Sequence, residues 1–185
     1  MRIRFYISLS LLTLLASYGC GGGSSEVEMK QAQEAMNQAR SVHADDLAPA
    51  EFQEAQKTFA HAQAAAKEGK SATAKVLFSS AKIYFNRTVV IAKSKRDALS
   101  RQLDGMQLMI SSNFDQVKSD LSKKHLSPKQ RVQVNAIVSE VVEDKDSISK
   151  LVVEDDLLKA VATAKDVQTK IYNAQLILAG QTPDR

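Results

Sequence analysis

One thiol, three imidazoles and a few paired carboxylates are the reactive groups of this 185-residue chain. The thiol is Cys20, the only cysteine. It follows Arg2, Arg4, an apolar run over 7–16 and then Ser17-Tyr18-Gly19. A positive start, a short apolar run and a small residue before the cut form the pattern of an export signal, here over 1–19. The run is about ten residues, against roughly 20 for a bilayer-spanning helix. The reading is therefore a cleaved leader, with Gly21-Gly22-Gly23-Ser24-Ser25 as a flexible tether over 20–25. A thiol placed there can accept a lipid. Ser17 and Gly19 would also satisfy an ordinary signal peptidase, leaving a secreted protein with a reactive N-terminal thiol.

The other candidates reduce to helix architecture. His43, His61 and His125 are far apart, and none pairs with another three or four residues away, so no metal site is expected. Gly69-Lys70-Ser71 copies the end of a phosphate loop. Ala64 stands where its first Gly belongs, and a helix rather than a strand precedes it. Asp144-Lys145-Asp146 starts like a calcium loop, but Ile148 and the missing Gly end the match. Asp45-Asp46 and Glu154-Asp155-Asp156 fit helix starts better than acid–base pairs. Asn86-Arg87-Thr88 fits a glycosylation sequon but falls mid-helix. No catalytic residue and no cofactor is expected.

The elements that carry these residues read as helices. Seven Gly, three Pro and no Trp, with Ala, Lys, Gln and Leu abundant, favour helix over sheet. With one Cys there is no disulfide framework, so stability must come from packing. The first helix runs from Ser24-Ser25 to about His43, and Asp45-Asp46-Leu47-Ala48-Pro49 breaks it. In the second, Phe52, Ala55, Phe59, Ala62 and Ala66 form one stripe, closed by Gly69. Ser71 caps a long third helix over about 71–123. Its stripe holds Ala74, Leu77, Ala81, Tyr84/Phe85, Thr88, Ile91/Ala92, Leu99, Leu103, Met106, Ile110, Phe114, Val117 and Leu121, with Gly105 as a candidate bend. Ser127-Pro128 opens a fourth, with Val134, Ile137/Val138, Val141, Ile148 and Val152 on its stripe, and Glu154-Asp155-Asp156 starts a fifth that runs to Gly180. The expected fold is all-α, an elongated antiparallel bundle or coiled coil of about five helices. It divides into a three-helix region over 26–124, a helical hairpin over 125–180 and a frayed tail over 181–185.

Two features point to partners. Net charge is −4 over 20–69, +7 over 70–124 and −1 over 125–185. Either acidic helices neutralise the basic one within the fold, or a basic face meets lipopolysaccharide, peptidoglycan or an acidic protein. Tyr84, Phe85, Lys93, Lys95, Arg96 and Arg101 are the candidate partner surface, although core packing against Phe52 and Phe59 explains most of the aromatic run Phe78, Tyr84 and Phe85. There is also a hint of duplication. Leu47-Ala48-Pro49 and Leu126-Ser127-Pro128 each open a helix, and Lys82-Ile83-Tyr84 is matched by Lys170-Ile171-Tyr172. Such helix pairs are similar to tetratricopeptide-like units, without the Trp-Leu-Gly-Tyr signature.

The leader, Cys20 and the Gly/Ser tether resemble those of a bacterial lipoprotein, with Ser17 where Leu is usual. That resemblance implies a triacylated Cys20 and a firm anchor, and Gly21 in place of Asp implies the outer membrane, facing the periplasm. Residues 32–92 resemble the envelope family called domain of unknown function 4398. The resemblance is carried by Ala48-Pro49-Ala50-Glu51-Phe52, Ala55, Ala62, Gly69, Ala72, Ala74, Leu77 and Ala81. The family is commonly found in lipoproteins and beside OmpA-like peptidoglycan-binding modules. Here residues 93–185 continue as helix instead. The expected function is a lipid-anchored scaffold contacting envelope proteins or peptidoglycan, with self-association compatible and nucleic acid excluded by export. The alternative is an accessory small-ligand- or lipid-binding helical lipoprotein beside a transporter.

Overall fold

A computed structural model describes residues 24–181. The leader over 1–19, Cys20 and its Gly run, and the tail over 182–185 lie outside the described residues. Among those described, the fold is all-α, with six helices and no strand. They are α1 (Glu26–Ser41), α2 (Ala44–Leu47), α3 (Pro49–Lys67), α4 (Ser71–Lys123), α5 (Pro128–Val153) and α6 (Leu157–Leu178). None is long and apolar enough to cross a membrane.

The sixth helix is α2, a single turn where the sequence reads as a break. His43 takes φ 54° and ends α1, and Leu47 N–H donates to its carbonyl. Pro49 then keeps Ala48 out of the α region, at φ −140° and ψ 56°. Ala44 and Leu47 are buried, so the turn is held by packing.

The helix ends follow from local chemistry. Gly69 at φ 74° closes α3, with Lys70 N–H donating to Ala65 O and Gly69 N–H to Ala66 O. Ser71 is not the cap of α4. Lys70 holds that position, its carbonyl accepting from Ala74 N–H, and Ser71 is the first helical residue. Ser25 precedes α1 without a side-chain cap bond. Ser127 does cap α5, and Gln130 completes a reciprocal capping box. Gln130 Nε2 also donates to Ile177 O at the end of α6 (3.2 Å), and Arg131 donates to Leu121 O near the end of α4 (3.4 Å). Carbonyls left without intrahelical partners thus gain donors from a neighbouring helix.

The chain divides into two compact units between Ile91 and Ala92, so α4 contributes to both. The core of the first is aromatic. Phe52 and Phe59 of α3 meet Phe78 and Phe85 of α4 edge-on, at centroid distances of 5.3 to 6.4 Å. Against them α1 presents only Ala32, Ala35 and Ala39, all buried. The core of the second is mainly aliphatic, with the Phe114 ring among branched side chains. Leu103, Met106, Ile110, Phe114 and Val117 of α4 pack with Val134, Val141 and Ile148 of α5 and the buried stripe of α6.

One register recurs after the turns at Gly69 and Asp155. Ala74, Phe78, Ala81, Phe85, Thr88 and Ala92 lie 5, 9, 12, 16, 19 and 23 residues after Gly69. Ala160, Ala164, Val167, Ile171, Ala174 and Leu178 lie at the same offsets from Asp155, and all twelve residues are buried. Gly69 and Asp155 are the left-handed residues of equivalent turns, with φ 74° and 63°. The Lys-Ile-Tyr tripeptides do not align in this register, since Ile83 is exposed and Ile171 buried.

Candidate functional site

The six residues expected to form a partner surface have different fates. Phe85 is fully buried between Phe52 and Phe59, so it belongs to the core and to no surface. The stripe turns inward at Phe85, leaving Tyr84 at 37% exposure, with its carbonyl accepting from Thr88 Oγ1. In the second unit Lys93, Lys95, Arg96 and Arg101 are all exposed. Arg96 is engaged, its guanidinium 2.7 Å from the Asp155 carboxylate. It thereby holds the turn in which Asp155, a non-glycine residue, takes a left-handed conformation.

The paired acids have structural partners. Asp156 caps α6, accepting from Lys159 N–H (3.2 Å). Asp144 and Glu140, one turn apart on α5, both bind the Lys170 ammonium of α6 at 2.9 Å. Hydrogen bonds from Lys170 to Asp144 and then to Glu140 hold that ammonium's pKa above lysine's ordinary value of 10.5. The triad's contribution to stability is therefore complete below the ordinary lysine range and disappears as pH rises through the raised value. We expect Lys170→Met to lower stability by up to about 1 kcal/mol at neutral pH, since the pair is part-exposed. The difference from wild type should vanish in thermal melts taken above that range. A difference independent of pH would mean that the methylene stem, not the charge, carries the contact.

Among the described residues no group of three or more His, Cys, Asp or Glu could hold a metal ion. The Asp144-Lys145-Asp146 run sits on a helix. Lys145 and Lys118 both lie over the Phe114 ring, at 5.5 and 4.9 Å. The neighbouring Asp115 carboxyl lies below its ordinary value, chiefly through its hydrogen bond from Lys118. An open groove of about 310 Å³ between α4 and α5 is floored by Ile110 and Ile148 and rimmed by Gln107, Ser111, Lys145 and Ser149.

A second feature of α4 is its outer face. Val76, Ile83 and Val90, seven residues apart, point away from the core. The sequence reading passed over them because it followed only the stripe that packs, yet their spacing is plain in the chain. Around them the acidic helices do not neutralise the basic one by direct pairing. Among the described residues no ion pair joins Lys75, Lys82 or Arg87 to a carboxylate of α1 or α3, and Lys82 instead donates to Gln31 (2.9 Å).

No curated protein and no solved structure matches this chain. A family model does, over residues 27–104, which take in α1, α2, α3 and the part of α4 up to Asp104. This stretch, with its aromatic core and alanine-faced α1, matches the model of a domain of unknown function, DUF4398.

Proposed function

We propose that the protein is a lipid-anchored scaffold of the bacterial envelope, held by acylated Cys20 and contacting envelope proteins or peptidoglycan through its helical body. The observation that carries this reading is the placement of the only cysteine. Cys20 stands directly behind an export-type leader and six residues before α1 begins at Glu26. The body supports the reading as well. Its polar clusters serve as caps, turns and interhelical ion pairs, and its cores are filled by Phe, Ala and branched aliphatic side chains. Outer-membrane attachment, facing the periplasm, is part of the proposal.

The experiment is a fractionation paired with mass spectrometry. The mature N-terminus should be Cys20 carrying diacylglycerol and an N-acyl chain. Cys20→Ser should move the protein from the membrane to the soluble fraction with its helical circular dichroism unchanged. A Cys20→Ser protein that stays in the membrane fraction would refute the anchor. Crosslinked envelopes that yield neither a protein nor a peptidoglycan partner would refute the scaffold role.

A further inference from the structure

The outer face of α4 in the first unit has an apolar line and a single sign of charge. Val76, Ile83 and Val90 are 67%, 63% and 67% exposed. Seven residues are close to two helical turns, so the three lie on one line, about 20 Å long. Lys75, Lys82 and Arg87 flank it, and α4 carries no carboxylate from Ser71 to Ile91. The rest of the unit is opposite in sign, with four basic and eight acidic residues over 20–69. Charge is thus segregated within one unit, and an anionic surface would orient it with α4 inward.

We propose that this face docks on an anionic phospholipid surface. Two other occupants fit less well. A second copy would bring Lys75, Lys82 and Arg87 against their equivalents. A partner helix would need a second apolar row for its side chains to interlock, and Ser79 and Asn86 stand where that row would be. A headgroup layer needs no such register. It takes up isolated aliphatic side chains while the lysine stems lie along the interface and their ammonium groups reach phosphate. The choice of lipid also rests on the proposed anchor at Cys20. Six residues span at most about 20 Å, so a lipid on Cys20 would keep the start of α1 at the membrane. Gln31 of α1 bonds Lys82 of α4, so that end of α1 lies beside the basic face.

The test uses the full chain with Cys20→Ser and a single environment-sensitive dye attached through Ile83→Cys. Vesicles containing phosphatidylglycerol should shift the dye to the blue and raise its emission several-fold. Phosphatidylcholine vesicles should not, and about 0.5 M salt should reverse the effect. Changing Lys75, Lys82 and Arg87 together to Gln should lower the ratio of docked to undocked protein about 100-fold, at roughly five-fold per cation. The same dye attached through Leu108→Cys, an exposed position in the second unit, should stay in water. Silence at position 83, an equal response to the neutral lipid or an equal response at position 108 would overturn the proposal. A response to an acidic amphipathic peptide but not to the vesicles would also overturn it, in favour of a protein partner. Every chain in the assay lacks the Cys20 thiol, so this outcome is independent of whether Cys20 is acylated.

Discussion

Phe85→Ala should cost about 3–5 kcal/mol, enough to unfold the first unit's packing. The ring is fully buried and lies edge-on to two others, 5.6 Å from Phe52 and 6.4 Å from Phe59. Truncation removes its own transfer energy, leaves a cavity and strips both rings of an aromatic neighbour. The alanines of α1 are too short to fill the space. Hydrogen exchange read by mass spectrometry should show loss of protection in α1, α3 and the start of α4, with α5 and α6 much less affected. Tyr84→Ala is the control. Its ring is more than a third exposed, and its loss should cost under about 1 kcal/mol. If the two variants behaved alike, the assignment of Phe85 to the core would be wrong.

The opposite error is instructive at Ala39. This residue is fully buried, and the whole buried face of α1 is alanine. Such a face lets α1 approach closely, but it contributes little apolar area and leaves no room for a larger side chain. Ala39→Leu should therefore destabilise by about 1–3 kcal/mol through overpacking, although leucine is the more hydrophobic residue. The strain should be relieved by release of α1, so exchange should rise in Glu26–Ser41 before it rises elsewhere. Ala39→Ser, nearly the same size, should cost less. If leucine stabilised the protein, α1 would have to sit on a cavity rather than on a filled core.

Much of this packing can be read from the chain. The bounds of α4, the Pro starts of α3 and α5 and the Gly69 stop rest on local rules, because a missing N–H or a positive φ acts on its own neighbours. The stripes were readable to within one residue. Phe78, expected to pack against Phe52 and Phe59, takes the fully buried place beside Leu77 of the stripe, and Ala65 is buried where Ala66 was expected. A 3.6-residue period leaves two adjacent positions competing for each inward place, and the neighbouring helix decides between them. Phe52 and Phe59 on α3 draw in Phe78 and Phe85. The turn α2 was missed because its support is the burial of Ala44 and Leu47, not its propensity.

The polar surface was less legible. The +7 segment was visible by counting charges, but counting cannot say which ones pair. Lys170 with Glu140 and Asp144 joins two helices, as does Arg96 with Asp155, and such pairs exist only once the helices are in register. Likewise Val76, Ile83 and Val90 read as ordinary helix filler until the core side of α4 is known. Only then does the opposite side acquire a meaning.

The matched offsets after Gly69 and Asp155 have a consequence for how the chain could vary. In each unit a helix runs into a second, and a left-handed turn returns a third. The third helix of the first unit is continuous with the first helix of the next. A plan of this kind has no intrinsic last step. Adding one further helix pair would need only a leading helix, which α6 would supply if it continued past the left-handed stop at Gly180. Stability in such a chain behaves as a sum of local terms and nearest-neighbour couplings, so lengthening by pairs is tolerated where insertion of a single helix is not. The helix pair that follows a shared leading helix is thus the unit of growth, and relatives of this protein should differ in length by steps of two helices.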